Sequence, residues 1–481
     1  MRNDEGLFDG LFGRGGVDTG DAAWLRAMLD TEAALARALE RAGLAAAGAG
    51  AAVTAAAARA AGTAGAGVTG TGDGAAGTGD GDRAAGAGFD AGELGRQAAL
   101  TGNPVPPLVR ALTSAVPGWA AGAVHRGATS QDILDTAMML LAKRAAAVVL
   151  SDLTVAAASA AGLAEAHRST IMIGRTLLQQ AVPVTFGLVA AGWLTGIDEA
   201  AASLARVAGQ RLAVQFGGAA GTLAALGETG PRVAALLAGE LGLAVPVVPW
   251  HTDRLRVVEL ASAASGVTGT LGKIARDVTL LAQSEVAEVS EGGTGRGGSS
   301  AMPHKRNPVA SVLILGCARR VPGLLATLAA AAEQEHQRAA GAWHAEWETL
   351  ADLLRLTGSA ASWAAELLAG LVVDGQRMRA NLDAAGGFPM AEHVAGLLAP
   401  ALGPVAAHDL VAAAAAGAAA SGASLRDALQ SGEAARSLAA AGVSQDQLDA
   451  ALDPAGYLGS AGAFTDAALA AHRDLAARLG P

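Results

Sequence analysis

From about residue 131 to residue 365 the chain runs through alanine- and leucine-rich stretches of helical character, broken near Pro183, Gly217 and the segment 242–252, and nowhere shows a sustained alternation of apolar and polar residues. Such a chain must fold as packed long helices. Hydrophobic residues make up 52% and aromatics 3%, so the apolar content is mostly alanine, leucine and valine, the side chains that lose least on entering a helix and let helices approach closely. With 16% charged residues, the chain has many small apolar faces to hide, and some of them are expected to meet other subunits. At 481 residues it exceeds what one core holds, which implies two or three domains.

Residues 21–42 place Trp24, Leu25, Met28, Leu29, Leu35 and Leu39 near one helical face, with Asp21 as expected N-cap and Gly43 as expected stop. The stretch 62–88 has Val68 as its one large apolar residue and reads as a disordered surface loop. Its Gly72, Gly74 and Gly77 form a GxGxxG pattern, but no apolar strand precedes them and no helix follows at once, so they do not make a dinucleotide site. Order resumes at "FDAGELGRQAAL", and a composition shift at "VVDGQRMRANLDAAGGFPM" marks a boundary near 370, before a smaller helical C-terminal domain.

A formal net charge of -10 without any lysine and arginine run argues against nucleic-acid binding by phosphate neutralisation. Cys317 is the single cysteine, which excludes an intrachain disulfide and a cysteine zinc cluster, and fits a buried thiol in a reducing cytoplasm. The start, "MRNDEGLFDG", lacks the apolar core of a signal peptide. Residues 177–197 are uncharged over about a membrane's width, but two glutamines, a proline and two threonines favour a buried core segment of a soluble protein.

Three polar stretches interrupt the apolar pattern. In "HRGATSQDILDTA", 125–137, Thr129, Ser130 and Asp132 open a helix; hydroxyls and free N–H groups there suit a carboxylate ligand, or form an ordinary N-cap. In "GRTLLQQAVPVTFG", 174–187, Arg175, Thr176 and Gln179 need partners, either each other or a ligand. The third, "GRGGSSAMPHKRNPVAS", 295–311, is the most specific. Gly292, Gly293, Gly295, Gly297 and Gly298 allow the chain before Ser299 to move, while Lys305 and Asn307 can hold an oxyanion by charge and hydrogen bond. No His/Asp/Glu spacing calls for a metal, and no lysine motif calls for an organic cofactor.

The run "GGSSAMPHKRNP" resembles the signature of the fumarase/aspartase superfamily, and "GATSQDILDT" and "GRTLLQQA" fall in the order and approximate spacing of its other two regions. The resemblance spans roughly residues 20–475 apart from the glycine-rich insertion. It implies a mainly α fold of three helical domains: 1–120 carrying the insertion at about 62–88, a central long-helix bundle domain over 121–368, and a C-terminal domain over 369–481. It also implies a homotetramer whose central helices form one bundle, with each active site shared among three chains. By the same resemblance Ser299 matches the catalytic serine, Lys305 and Asn307 match the holders of the substrate carboxylate, and Thr129 and Ser130 match carboxylate binders from a second chain. Arg175, Thr176 and Gln179 in the second region, and Ser300, Met302 and His304 in the third, complete the expected substrate contacts.

"MPHKRNP" and "GATSQD" narrow the resemblance to the adenylosuccinate lyases or to the branch that lactonises carboxymuconates. The lyases carry RTHGQ in the second region, and its histidine protonates the departing group; here Leu177 stands at that position and cannot transfer a proton. "AAGAWHAEWETL", with Trp343 and Trp347, replaces the lyases' DISHSSVER-like stretch and is similar to the lactonising branch, as are "RMRANLDAAGG" and "LDPAGYLGSAGAFTDAAL". Lactonisation needs no external nucleophile and no leaving-group acid. The enzyme folds a diene acid into attack geometry, stabilises the aci-carboxylate and delivers one proton to carbon. A lyase-type elimination releasing fumarate is the alternative, and an inactive helical scaffold is a third reading, which the presence of Ser299, Lys305 and Asn307 disfavours. Arg126, Arg254 and Arg306 are open between ion pairing and substrate binding, and among the histidines His304 is better placed for substrate than His251, with His344 lining the site or packing.

Overall fold

The computed structural model describes residues 6–65, 89–292, 297, 298, 302 and 305–479; Ser299, Ser300, His304 and the insertion from residue 66 to residue 88 lie outside the described residues. The chain divides into two units, one made of residues 1–153, 200–272 and 313–363, the other of 154–199, 273–312 and 364–481. The helices Ser130–Ala166, Phe186–Gln210, Leu255–Leu281, Val309–Ala330 and Ala342–Ala369 each give residues to both.

In the first unit the helix Asp21–Arg41 buries Leu25, Met28, Leu29, Leu35 and Leu39 as its period requires, while Trp24 stays half-buried at the edge of the stripe. Each fully buried leucine contributes about 1.5–3 kcal/mol, so this stripe outweighs propensity in holding the helix. Gly20 occupies the N-cap, one position earlier than the sequence suggests, so Asp21 lies in the first turn, and Gly43 leaves the helix with φ 80°.

The second unit departs from unbroken helix at the second motif. Strands β1 (Ile171–Thr176) and β2 (Gln179–Thr185) pair antiparallel, with Ile171 opposite Thr185, Ile173 opposite Pro183 and Thr176 opposite Gln179. The physical reason is local: Ile171 and Ile173 favour extended backbone, and Pro183 is tolerated in a two-stranded ribbon while it would break a helix. Leu177 and Leu178 form the two-residue turn with φ 48° and 65°, a conformation that Asn and Gly usually supply, and both are exposed. Two leucines held there are costly, by about 1–3 kcal/mol each.

Two further short strands, β3 (Val289–Glu291) and β4 (Leu371–Val373), pair antiparallel, and between them in sequence lie the signature stretch and the two long helices Val309–Ala330 and Ala342–Ala369. Beyond them Met390, Val394, Leu398, Val411, Leu425, Leu429, Leu438 and Leu448 build a separate helical core, in which capping boxes at Ser424 and Ser444 start two of the short helices. Two helices, Ser130–Ala166 and Val309–Ala330, are apolar and long enough to cross a membrane by composition, yet only 33% of the most apolar window of each is buried within the chain. The segment 177–197 expected in a core is buried only in part: residues 177–180, the turn and the start of β2, are exposed, while the helix Phe186–Gln210 buries Phe186, Trp193, Leu194 and Ile197. Cys317 is buried, and burial raises its thiol pKa.

Candidate active site

The first motif sits where the helix Ser130–Ala166 begins. Asp132, in its first turn and 1% exposed, accepts from five donors. Its Oδ2 takes the N–H groups of Thr129 (3.0 Å) and Gly218 (2.8 Å), and its Oδ1 takes the Gly217 N–H (3.0 Å), the Gln215 amide (3.3 Å) and His251 Nε2 (2.7 Å). Only glycine fits at 217, because a Cβ there would stand 2.7 Å from Pro249 and 2.8 Å from His251. The N–H of Thr129 is thus already bonded, and its hydroxyl is the donor it can still offer.

One of them is the Thr129 hydroxyl. Arg338 Nη1 donates to its oxygen at 2.8 Å and Nη2 donates to the Ala219 carbonyl at 3.1 Å. Since the guanidinium can only donate, it occupies the hydroxyl as an acceptor and leaves the Thr129 proton to be given to another acceptor. Among the described residues no carboxylate pairs with Arg338, and its buried Nε has no hydrogen-bond partner. A cation with an unanswered N–H beside a donating hydroxyl suits a carboxylate.

Just upstream, His125 takes a left-handed φ of 55° and is bonded to the fully buried Glu32 through both its N–H (2.9 Å) and its ring Nδ1 (2.6 Å). Burial opposes a charge on His125, but hydrogen bonding and attraction to Glu32 outweigh it and hold the imidazole pKa above its ordinary value.

Beneath the turn, Arg254 lies between Asp135 (2.7 Å to Nη1) and Glu346 (2.9 Å to Nε), with Trp343 Nε1 on Asp135 at 2.9 Å. Arg254 is therefore structural. His251, 4% exposed and bonded to Asp132, is structural too, and Arg126 donates to the Leu44 carbonyl. His344 is exposed and lies against the Trp347 ring at 4.7 Å.

In the second unit Arg175 is already committed: its two terminal nitrogens meet the two oxygens of the buried Glu288 at 2.9 and 2.7 Å, and Asn381 donates to the same carboxylate at 2.8 Å. Thr176 and Gln179 face each other at the end of the hairpin, both exposed.

The signature stretch is fastened at its ends. Glu291 accepts the N–H groups of Ala310 and Ser311 and the Ser311 hydroxyl at 2.7–3.0 Å, and Asn307 donates its backbone N–H (2.8 Å) and its amide (3.1 Å) to the Gly297 carbonyl. At Gly297, φ 70°, a Cβ would collide with the Asn307 carbonyl at 2.3 Å. Lys305 is exposed and, among the described residues, has no carboxylate within ion-pair range; Met302 is exposed as well.

Lys305, Arg306 and Asn307 border a cavity of about 750 Å³ whose wall also carries Glu285, Glu291, Glu366 and Asp374. Carboxylates outnumber cations on this wall, so size alone does not make this cavity the substrate site. The structure thus brings Lys305 and Asn307 together in the second unit, with Arg175, Thr176 and Gln179 elsewhere in that unit, and places Thr129 and Ser130 in the first. Sequence reasoning missed Arg338 and the Glu32–His125 pair. The three-residue spacing of Thr129 and Asp132 was a legible capping signal, while nothing in the sequence marked Arg338.

Long helices, a Thr-Ser turn, a hairpin second motif and a glycine-flanked Lys-Arg-Asn stretch define a member of the fumarase/aspartase superfamily of lyases, and the chain belongs to it. Residues 107–323 match the lyase family and residues 387–468 the adenylosuccinate lyase C-terminus. Among relatives, the 3-carboxy-cis,cis-muconate cycloisomerase of Pseudomonas aeruginosa is 49% identical over 391 residues, 80% of this chain and 84% of that protein. The nitrosuccinate lyase of Streptomyces davaonensis is 44% identical over 462 residues, 93% of this chain and 90% of that protein. The crystal structure of the 3-carboxy-cis,cis-muconate lactonizing enzyme from Pseudomonas putida superposes with a TM-score of 0.85 at 40% identity, covering 98% of this chain and 100% of that one.

Proposed function

We propose that this enzyme is a cycloisomerase that closes 3-carboxy-cis,cis-muconate to its lactone. The observation that carries the reading is Leu177, an apolar residue 97% exposed at the tip of the β1–β2 turn, at the position from which related lyases protonate an amine leaving group. An intramolecular addition needs no such acid. The attacking carboxylate belongs to the substrate, and the protein has to hold the other carboxylates, stabilise the aci-carboxylate and deliver a proton. Thr129 and Arg338 supply one set of carboxylate donors, Lys305 supplies a cation, and Asn307 joins it at the oxyanion. Arg175 buttresses the hairpin through Glu288. Ser299, the proton donor in this reading, and Ser300 and His304, lining the site with Ser130, Thr176, Gln179 and Met302, enter through the family resemblance. The chemistry requires no metal and no organic cofactor.

A second reading follows from the nitrosuccinate lyase match, which covers more of the chain than the P. aeruginosa cycloisomerase match. Nitrite is a good leaving group that departs without a proton, so Leu177 excludes amine elimination but not this one. The test is ultraviolet absorbance of the purified enzyme with 3-carboxy-cis,cis-muconate, nitrosuccinate and adenylosuccinate in separate cuvettes, beside Ser299→Ala. Loss of the diene band, absent in the Ser299→Ala control, is expected; nitrite release from nitrosuccinate with the diene untouched would overturn the cycloisomerase reading in favour of the second.

The same reading makes the enzyme a cytoplasmic homotetramer with active sites shared among chains. Its support is the apolar surface left open by one chain: Leu177, Leu178, Val155 and Val312 are exposed, and the long apolar helices Ser130–Ala166 and Val309–Ala330 are about one-third buried over their most apolar windows. Sedimentation is expected to report four chains, and Val312→Glu, which puts a charge on one of those helices, is expected to dissociate them. A wild-type monomer would refute the shared site.

A further inference from the structure

We infer that Asp132 is the positioning residue of the carboxylate-binding turn, setting the place of the Thr129 hydroxyl without touching the substrate. This inference rests on the proposed reading of Thr129 as a substrate ligand. An ordinary N-cap needs one acceptor for one or two N–H groups. Asp132 instead gathers donors from four positions, Thr129, Gln215, the Gly217–Gly218 pair and His251, at 2.7–3.3 Å.

Three segments far apart in sequence thereby meet at one buried carboxylate, two through backbone N–H groups and one through the His251 ring. Its two oxygens divide the work: Oδ2 joins the Thr129 turn to Gly218, and Oδ1 joins Gly217 to His251. Thr136, one turn further along the helix, repeats the tie by bonding both the N–H (2.9 Å) and the carbonyl (3.0 Å) of Gln215.

Arg338 ties the same two turns a second time, gripping Thr129 through its hydroxyl and Ala219, next to Gly218, through its carbonyl. The guanidinium reaches both only if the turns keep the separation that Asp132 enforces from within. A shift of one turn against the other would break the Arg338–Thr129 bond and misdirect the hydroxyl proton, so the carboxylate acts on substrate through the orientation of Thr129.

Asparagine at 132 would keep the size but set an NH₂ group against two N–H donors, whichever oxygen it replaced. The experiment is a cycle of Asp132→Asn, Thr129→Ala and the double variant in the full-length enzyme. KM and kcat are measured on 3-carboxy-cis,cis-muconate, and the affinity for the unreactive tricarboxylate tricarballylate is measured by calorimetry. Asp132→Asn is expected to raise KM and weaken tricarballylate binding about tenfold with kcat held within about threefold, and to add less than about twofold once Thr129 is alanine.

A folded Asp132→Asn enzyme with unchanged KM and unchanged tricarballylate affinity, or one whose full effect persists beside Thr129→Ala, overturns the inference. Should Asp132→Asn not fold, His251→Leu removes one donor and leaves the carboxylate in place. It is expected to raise KM about threefold with the same dependence on Thr129, and an unchanged KM would be decisive against. Wild-type activity judges the substrate assignment separately, since the tricarballylate arm reads the turn whether or not carboxymuconate is turned over.

Discussion

Replacing Arg254 by methionine is expected to destabilise the first unit by about 3–5 kcal/mol, the usual cost of removing one partner from a buried ionic group. The reason is what remains. Asp135 and Glu346 are 1% and 0% exposed, and without the guanidinium two carboxylates face each other with only Trp343, Gln131 and Gln334 to hydrogen-bond them. Even in the wild type, burial raises the Glu346 pKa above 4.5 and the Asp135 charge adds to that, with Arg254 opposing both.

The pH dependence follows in sign. A carboxyl whose folded-state pKa lies above its unfolded value is easiest to bury when protonated, so it weakens the fold as pH rises from about the unfolded value through the folded one. Removing Arg254 takes away the cation that opposes this rise and pushes the Glu346 carboxyl further up. The stability deficit of the variant is therefore expected to be largest at neutral and alkaline pH and to shrink as pH falls toward 4.5, the ordinary value for Glu346. Urea unfolding at several pH values measures it. A deficit that is small, or that grows on acidification, would show that the triad does not hold this unit together. Adding Glu346→Gln should recover part of the loss at neutral pH, because one stranded charge is then gone.

The sequence made the helices legible because their apolar residues repeat at the helical period, and Leu25, Met28, Leu29, Leu35 and Leu39 are buried as that period demands. The hairpin at the second motif was not legible in this way. Its strands are six and seven residues long and irregular at Gly174, too short for alternation to stand out against the apolar run around them. Leu177 and Leu178 also carry none of the Asn or Gly that marks a two-residue turn.

At the site, residue types were readable and partnerships were not. Arg175 in an apolar run had to find a partner, and only the fold shows that Glu288, 113 positions away, is that partner. Arg338 lies in no recognised stretch, and its 209-residue separation from Thr129 hides it from any local pattern. Asp132 could be read as a cap from its spacing, but its hold on Gly217, Gly218 and His251 is a property of the folded chain.

Lys305→Met is expected to lower kcat/KM by about 10²–10³ while leaving the unfolding midpoint almost where it was. Catalysis suffers because an aci-carboxylate gathers negative charge in the transition state, and a preformed cation facing it is commonly worth that factor. The fold does not suffer, since Lys305 is exposed and has no carboxylate partner among the described residues, and substitutions at such places usually cost within about 0.5 kcal/mol. This combination separates Lys305 from Arg254, whose loss reduces activity only by unfolding the protein, and from Arg175, whose loss strands the buried Glu288. Lys305→Arg keeps the charge but replaces a compact ammonium with a planar fork, and should recover part of kcat. Steady-state kinetics beside thermal unfolding of the same preparations provide the check. If Lys305→Met loses stability and activity together, the lysine is a structural residue; if it loses neither, the oxyanion is held by another cation and the reading of the signature stretch fails.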